Sequence, residues 1–534
     1  MGVEPCVYMF HREKKSMAFK ILRLEPRKIL ALTSVIGGLV MSANAWALPS
    51  FARQTGWSCA TCHTSFPQLT PMGRMFKLMG YTTENLQPQQ KIDAKVGNVV
   101  HLLLPRISQF SVFVQASDTH VAGGQQMLDA TPRTATAMIN GKPTPIGAVG
   151  RNNNIEAPQQ VSLFYAGEIT PHVGDFLHIT YNGQSGGFAF DDSSIVRAQA
   201  WKLGLHNTLI TGVDVNNTPS ATDLWNTSPD WQAPFFTSNY TAAGAVPTTF
   251  IGSSPGAAFP LIGLGAYAAD IVGPNRANWF YVEADAYNNS EGTGTAPNSG
   301  AISEGGGNQY TLNNNNGACN NPLPGTPPDC VAFGQLAGTA PYLRLAYQHD
   351  WSDWNWEVGT YDMWSRVYAA PTSSAVDRFY DYDLDSQLQW LDINDNNNVT
   401  VRANLIHEDA RFAAGDAGPT GGSSNTHGQL NTFNLNATYW YHDEYGAQGG
   451  FQDVTGTANN NFWGGNLVSP TPIYSANGSP NTTDEWVEAS YLPWWNTRLS
   501  VRYTMFNKFR GLTGNNGVSP SKFNTIELLA WIAY

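Results

Sequence analysis

The chain has 534 residues, a net charge of −12 and only 13% charged side chains, with no Lys/Arg stripe after its first thirty residues, which excludes a nucleic-acid footprint. Its polarity comes from Asn, Gly, Ser and Thr, and its 17 Trp, 22 Tyr and 25 Phe are the aromatic load of a chain that meets a membrane interface. No apolar run beyond residue 50 approaches the roughly 20 residues of a spanning helix, so a membrane crossing would have to be made by strands.

The first segment predicts export. Arg23, Arg27 and Lys28 precede an apolar stretch from Ile29 to Met41, and Ala45-Trp46-Ala47 is a small-x-small cleavage site. Residues 1–47 are expected to be a signal peptide, with Met17 a more ordinary start than Met1 and the mature chain beginning near Leu48. An uncleaved anchor fits less well, because the apolar run is too short.

Cys6 leaves with that leader, and the next two cysteines stand in Cys59-Ala60-Thr61-Cys62-His63. The C-x-x-C-H spacing offers two thiols for thioether bonds to haem vinyls and an adjacent imidazole for the iron, in a compartment where covalent attachment takes place. A zinc site would need a second ligand pair at finger-like spacing, and a thioredoxin-like pair would need a βαβ context; neither flanks the motif. Residues 48–97 are predicted to be a c-type segment with one covalent haem c, small enough to leave much of the porphyrin uncovered by itself. Cys319 and Cys330, in a Gly/Asn/Pro-rich stretch of an exported chain, are predicted to form a local disulfide.

From residue 98 to 534 the pattern is period two, interrupted by turn-rich segments, which predicts an all-β transmembrane barrel of about sixteen antiparallel strands. The expected strands lie near 101–114, 158–170, 173–183, 194–203, 207–215, 260–272, 276–288, 340–350, 353–368, 378–392, 398–411, 429–443, 446–456, 484–493, 497–510 and 523–534. Connections after odd-numbered strands are mostly long and those after even-numbered ones tight, as for a barrel with both ends on the periplasmic side. In one run Asp381, Asp383, Asp385, Gln387 and Gln389 alternate with Tyr380, Tyr382, Leu384, Leu388 and Trp390; in the next, Thr400, Arg402, Asn404 and Glu408 oppose Val399, Val401 and Leu405. That predicts a charged lumen and an apolar outer face, with the aspartates paired to Arg402 and other luminal bases or, alternatively, steering a cation. The 392–398 tract lacks the central Gly and closing Glu of a calcium loop and is predicted to be a turn.

With the motif and the barrel pattern in hand, PSFARQTGWSCATCHTSFPQLTPMGRMFKLMGY closely resembles the haem segment of the outer-membrane monohaem cytochrome-porin fusions, the Fe(II) oxidases of iron-oxidising bacteria. The resemblance implies Cys59 and Cys62 as covalent haem anchors, His63 as proximal iron ligand and catalytic centre, Fe(II) as electron donor and a periplasmic cytochrome or other carrier as acceptor. It also implies an outer-membrane site, with the haem segment entering from the periplasm and the long loops outside. Met72 departs from the family's P-F-G-R version of the motif and is expected to pack beside the haem. Met75, Met79 and His101 are candidates for the distal ligand, and Asp381, Asp383 and Asp385 for an iron path. Outward electron delivery to an extracellular acceptor, or a porin whose haem segment is a plug, would use the same parts.

Overall fold

Strand alternation needs a closed sheet if the chain is to cross lipid, since an open edge would leave backbone N–H and C=O groups unpaired in hydrocarbon. In the computed structural model sixteen antiparallel strands close in this way. The structure describes residues 49–82, 109–123, 153–183, 187–231, 237–238, 241, 246–253, 261–273, 277–289, 336–368, 376–392, 394–413, 425–459, 478–513 and 519–534, with four short strands at Lys91–Ile92, Leu102–Leu103, Ala135–Ile139 and Lys142–Ile146. His101, Cys319, Cys330 and the leader lie outside the described residues.

The barrel strands are β1 Phe110–Val121, β2 Asn153–Thr170, β3 Val173–Asn182, β4 Ser194–Lys202, β5 Thr208–Asn216, β6 Leu261–Val272, β7 Asn278–Asn289 and β8 Ala340–Trp351, then β9 Trp354–Tyr368, β10 Val376–Asp392, β11 Asn397–Arg411, β12 His427–Tyr441, β13 Tyr445–Gly456, β14 Thr482–Trp494, β15 Thr497–Lys508 and β16 Thr525–Ala533. Closure runs between β16 and β1, from Thr525 opposite Val121 to Ala533 opposite Phe113. Between β3 and β4 a short strand, Gly187–Phe190, fills the upper part of the wall against β3. The parity of the connections holds around the ring: β2–β3, β8–β9 and β14–β15 turn within two residues, whereas β5–β6 and β7–β8 are joined by long excursions.

One expected strand is displaced. The 101–114 run begins with apolar residues, but Leu102–Leu103 pairs locally with Lys91–Ile92, and the wall starts only at Phe110. From there the inward residues Ser111, Gln115, Ser117 and Thr119 keep the period, while the earlier leucines give no polar alternate. The 392–398 tract is a turn, as predicted: the Asp392 carboxylate accepts from the Asn394 and Asp395 N–H groups, and Asn396 takes the left-handed conformation.

Val213, Val215, Leu264, Val282, Leu384, Leu405, Val487, Val501 and Leu528 face outward, and the alternate positions turn polar groups inward. Trp351, Trp354, Tyr441, Tyr445, Tyr491 and Trp494 stand exposed beside the tight turns, a girdle of the kind that marks one membrane interface. No helix among the described residues is long and apolar enough to cross a membrane; the strands do so.

The lumen is filled in two layers. At the tight-turn mouth lies the segment 49–82, whose side chains and backbone hydrogen-bond to β1, β2, β6, β9, β10, β11 and β12 around the wall. Beyond it the β5–β6 connection folds inward, with a single helical turn at Pro219–Thr222 and further buried residues from Asp223 to Ser228 and 246–251. Residues Trp46–Tyr534 form one unit, so the motif-bearing segment is packed into the barrel, not appended to it.

Candidate haem site

The segment is built from three short helices, α1 Pro49–Thr55, α2 Cys59–Cys62 and α3 Pro71–Leu78. Gly56, at φ 72°, ends α1 in the left-handed region and turns the chain toward the motif. Thr70 caps α3: its hydroxyl accepts from the Gly73 N–H at 3.1 Å and donates to the Thr61 carbonyl at 2.6 Å, which ties the cap to the motif. Pro71 occupies the first turn, where its missing N–H costs nothing. At Gly73 a Cβ would collide with the Cys62 carbonyl, so the absence of a side chain lets α3 lie directly on the C-x-x-C turn.

Cys59, Cys62 and His63 line one cavity, which is open on one side. Its walls are aromatic: Phe51, Trp57, Phe66, Phe76 and Tyr81 from the segment, Phe176 from β3 and Trp231 from the inward loop. Phe51 stacks on Tyr81 with centroids 5.2 Å apart and meets Phe76 edge-on at 5.2 Å, contacts worth about 0.5–1.5 kcal/mol each beyond their burial. Phe66 extends the wall to Phe113 on β1 and Trp531 on β16, at 5.8 and 5.9 Å.

The donor set fits haem c. Burial, with Cys59 beside it, pushes the Cys62 thiol up to about 11, so it is protonated. The His63 Nδ1 is buried without a hydrogen-bond partner, and burial pushes the imidazole down to about 4, leaving it neutral, the form that binds a metal. Two thiols, a neutral imidazole and an aromatic slot are what covalent attachment and axial ligation require. Lys77 is the one cation among the described lining residues; its Nζ donates to the Asp223 carbonyl at 2.7 Å and lies 5.7 Å from the Trp231 ring. Burial lowers its pKa against the pull of Asp223, Asp192 and Glu283.

The methionines are placed differently from the motif residues. Met75 and Met79 pack against the apolar cluster of Phe76, Tyr81 and Tyr267, and neither is among the cavity's lining residues. Met72, expected beside the haem, is instead 47% exposed: it follows Pro71 on the open side of α3, while Gly73 and Phe76 take the face toward the motif. The sequence reading missed Phe113, Phe164, Phe176, Trp225, Trp231 and Trp531. A signal existed for Trp531, since Leu529, Trp531 and Ala533 break the polar alternation of the last strand on its inward face.

Asp381, Asp383 and Asp385 share the inward face of β10, all buried, but none borders the cavity lined by Cys59, Cys62 and His63. Of the luminal bases expected to pair with them, Arg344 does so and Arg402 does not. Arg402 donates to the Asn226 and Trp231 carbonyls at 2.6 and 2.9 Å, so it anchors the inward loop. Asp385 pairs with Arg344 at 2.8 Å, and Asp381 accepts from the Ile251 N–H at 2.6 Å beside Glu408, which accepts from Phe250. Arg344 also meets Glu357 at 3.4 Å and Asp223 at 3.8 Å. Asp223 holds its loop by accepting from the Trp225, Asn226 and Ser228 N–H groups.

No family model and no curated protein matches the chain. Among solved structures it is similar in fold to the outer-membrane protein OmpT of Vibrio cholerae (7% identity, TM-score 0.38, 80% of this chain and 97% of that one). It is likewise similar to the outer membrane channel DcaP of Acinetobacter baumannii (9%, 0.37, 80% and 96%) and a mutant of the Rh. blastica porin (9%, 0.33, 80% and 99%).

Proposed function

We propose that this outer-membrane barrel is a monohaem electron conduit that oxidises Fe(II) outside the cell and passes the electrons to a periplasmic carrier. The observation that carries the reading is the placement of Cys59, Cys62 and His63 on one aromatic cavity inside the lumen, at the tight-turn mouth. Haem bound there supplies one-electron Fe(III)/Fe(II) chemistry. Cys59 and Cys62 would hold it covalently, and His63 would offer a neutral nitrogen to its iron. Phe51, Phe76, Tyr81 and Phe176 would shield it from water, and Lys77 would be the cation on its lining. Tight turns are periplasmic in bacterial barrels, which puts the segment on the side where haem is attached and carriers are found, with the long loops outside. The barrel solves a distance problem, since about 30 Å of hydrocarbon bars both a hydrated ion and a single electron hop.

The test is anaerobic mixing of the oxidised, haem-loaded protein with Fe(II) while the haem bands are followed. Reduction on a turnover timescale is expected. No reduction by Fe(II), with full reduction by dithionite, sinks the oxidase reading. Reduced protein that transfers its electron to an extracellular oxidant but never accepts one from Fe(II) reverses the direction.

A further inference from the structure

Asp214 on β5 and Glu283 and Asp285 on β7 project into the lumen across the intervening β6, each at least nine-tenths buried. One oxygen from each lies within 4.8 Å of the others, a span that two ligands of one ion at about 2.0–2.6 Å can bridge. The hydrogen bonds they receive come from neutral groups. Asn216 Nδ2 donates to Asp214 and Asp285 at 2.6 and 3.1 Å, Tyr287 donates to Asp285 at 3.0 Å, and Tyr281 donates to Glu283 at 3.0 Å. These bonds engage one oxygen of each carboxylate. Asp214 Oδ2, Glu283 Oε1 and Asp285 Oδ1 are buried without a hydrogen-bond partner, and no ion pair reaches any of the three side chains among the described residues.

A second feature marks the place as built. Gly265, on the strand between them, has no side chain where a Cβ would collide with Asp285 Oδ1 and lie 2.8 Å from Asp214 Oδ2, the same unpartnered oxygens. The wall thus opens a cradle under converging carboxylates. Three buried carboxylates cannot all be ionised at this spacing unless a cation joins them. The nearby bases are engaged elsewhere, Arg344 by Asp385 and Glu357, and Lys77 by the Asp223 carbonyl.

We infer that Asp214, Glu283 and Asp285 hold an oxygen-preferring divalent cation, and that its occupant in turnover is the Fe(II) donor itself. All-oxygen carboxylate donors suit Mg, Ca, Mn and Fe(II) over softer ions. The site also adjoins the haem segment. Tyr281, bonded to Glu283, lies 6.0 Å from Tyr267, whose hydroxyl donates to the Leu78 carbonyl at 2.6 Å, in the same apolar cluster as the cavity residues Phe76 and Tyr81. The redox step balances as one electron: bound Fe(II) becomes Fe(III), the ferric haem becomes ferrous, and no bond to the protein forms or breaks except at the departing ion. The identity of the occupant rests on the Fe(II)-oxidase reading; the cation site does not.

The test uses the haem-loaded full chain in detergent, with Mn(II) as probe and two variants: the triple Asp214→Asn, Glu283→Gln, Asp285→Asn, and Gly265→Ala, which keeps every charge and fills the cradle. Heat-modified electrophoretic mobility confirms that each barrel is closed. Electron paramagnetic resonance titration should show one Mn(II) bound to the parent and binding weakened about tenfold or more in both variants. In stopped flow, haem reduction by Fe(II) should fall at least about tenfold in both, with reduction by a neutral hydroquinone unchanged. A parent that binds no Mn(II), or folded variants that bind it like the parent, overturns the site. Variants that lose Mn(II) but are reduced by Fe(II) at the parent rate overturn the donor assignment. If Fe(II) reduces no haem even in the parent while Mn(II) binding is lost on substitution, the oxidase reading fails and the cation site stands.

Discussion

Replacing Arg74 by Met should release the haem segment from the barrel wall. Arg74 is fully buried and donates to the Leu69 carbonyl at 2.8 Å, to Gln389 on β10 at 2.9 Å and to Asn355 on β9 at 2.6 Å. Gln387, with its amide turned to satisfy both neighbours, accepts from the same guanidinium at 3.1 Å and donates to the Trp225 carbonyl at 3.0 Å, which links the two luminal layers. Burial lowers the Arg74 pKa to about 10, so the side chain is charged at neutral pH. A hydrogen bond from a charged donor contributes about 1.5–3 kcal/mol, and those to Gln389 and Asn355 alone give about 3–6 kcal/mol before desolvation of the guanidinium is set against them. A net loss of about 3–4 kcal/mol corresponds to a several-hundredfold rise in the fraction of time α3 is undocked. Amide hydrogen exchange reads this directly, because opening free energy sets protection. Amides of residues 71–78 should lose roughly two orders of magnitude of protection in the variant, while those in β9 and β10 keep theirs. If a folded, haem-loaded Arg74→Met protein exchanges over 71–78 within about threefold of the parent, the bonds do not hold the segment and the docking argument is wrong.

Joint replacement Cys59→Ser and Cys62→Ser should abolish haem staining after denaturing electrophoresis, whereas His63→Ala should keep the stain and shift the absorption bands, since it removes a ligand and leaves the anchors. Deleting residues 49–82 should raise conductance in planar bilayers little, because the inward loop is still fastened by Arg344 and Arg402; deleting 219–253 as well should open the pore. Burial, with Asp191 and Asp223 nearby, holds Asp230 in that loop up to about 7, so its contribution is fully present below about pH 4 and lost as pH rises through about 7. After correction for intrinsic rates, the amides of residues 229–231 should be better protected at pH 5 than at pH 8, and equal protection would refute the assignment.

The barrel was legible because each of its signals is local. Alternation at Asp381 to Gln389 fixes which face is wet, and the alternation of tight and long connections fixes the hairpins, so the strand boundaries needed only one large correction, at β1. The Cys59, Cys62 and His63 motif was legible for the same reason, since C-x-x-C-H is a contiguous pattern. What surrounds them was not. Trp531, Phe113 and Phe176 reach the site from strands far apart in the chain, and only register and closure bring them together. Ion pairing held at Asp385, which meets Arg344 from two strands away, and failed at Arg402. Gln387 stands opposite Arg402 in register, yet Arg402 turns to the carbonyls of the inward loop, a partner that no strand pattern announces.

That loop also changes what the segment and the barrel are to each other. Residues 49–82 are too few to bury Phe51, Phe66, Phe76 and Tyr81 together with a large planar group, and a fully buried Arg74 is tolerable only where fixed acceptors replace its water. Both requirements are met from outside the segment: the aromatics close against β1, β3 and β16, and the guanidinium against Asn355 and Gln389. The dependence runs the other way too. The inward loop is pinned to the segment by Lys77 on the Asp223 carbonyl and by Asn226 on the Pro67 carbonyl, so the loop's seat is partly made of the segment. A lumen packed by two mutually fastened layers has little room for solute flow, while it keeps aromatic groups in contact from Tyr281 to the cavity wall. Such an interior suits the passage of an electron better than that of an ion, and the unpaired carboxylates over Gly265 stand where an ion would stop.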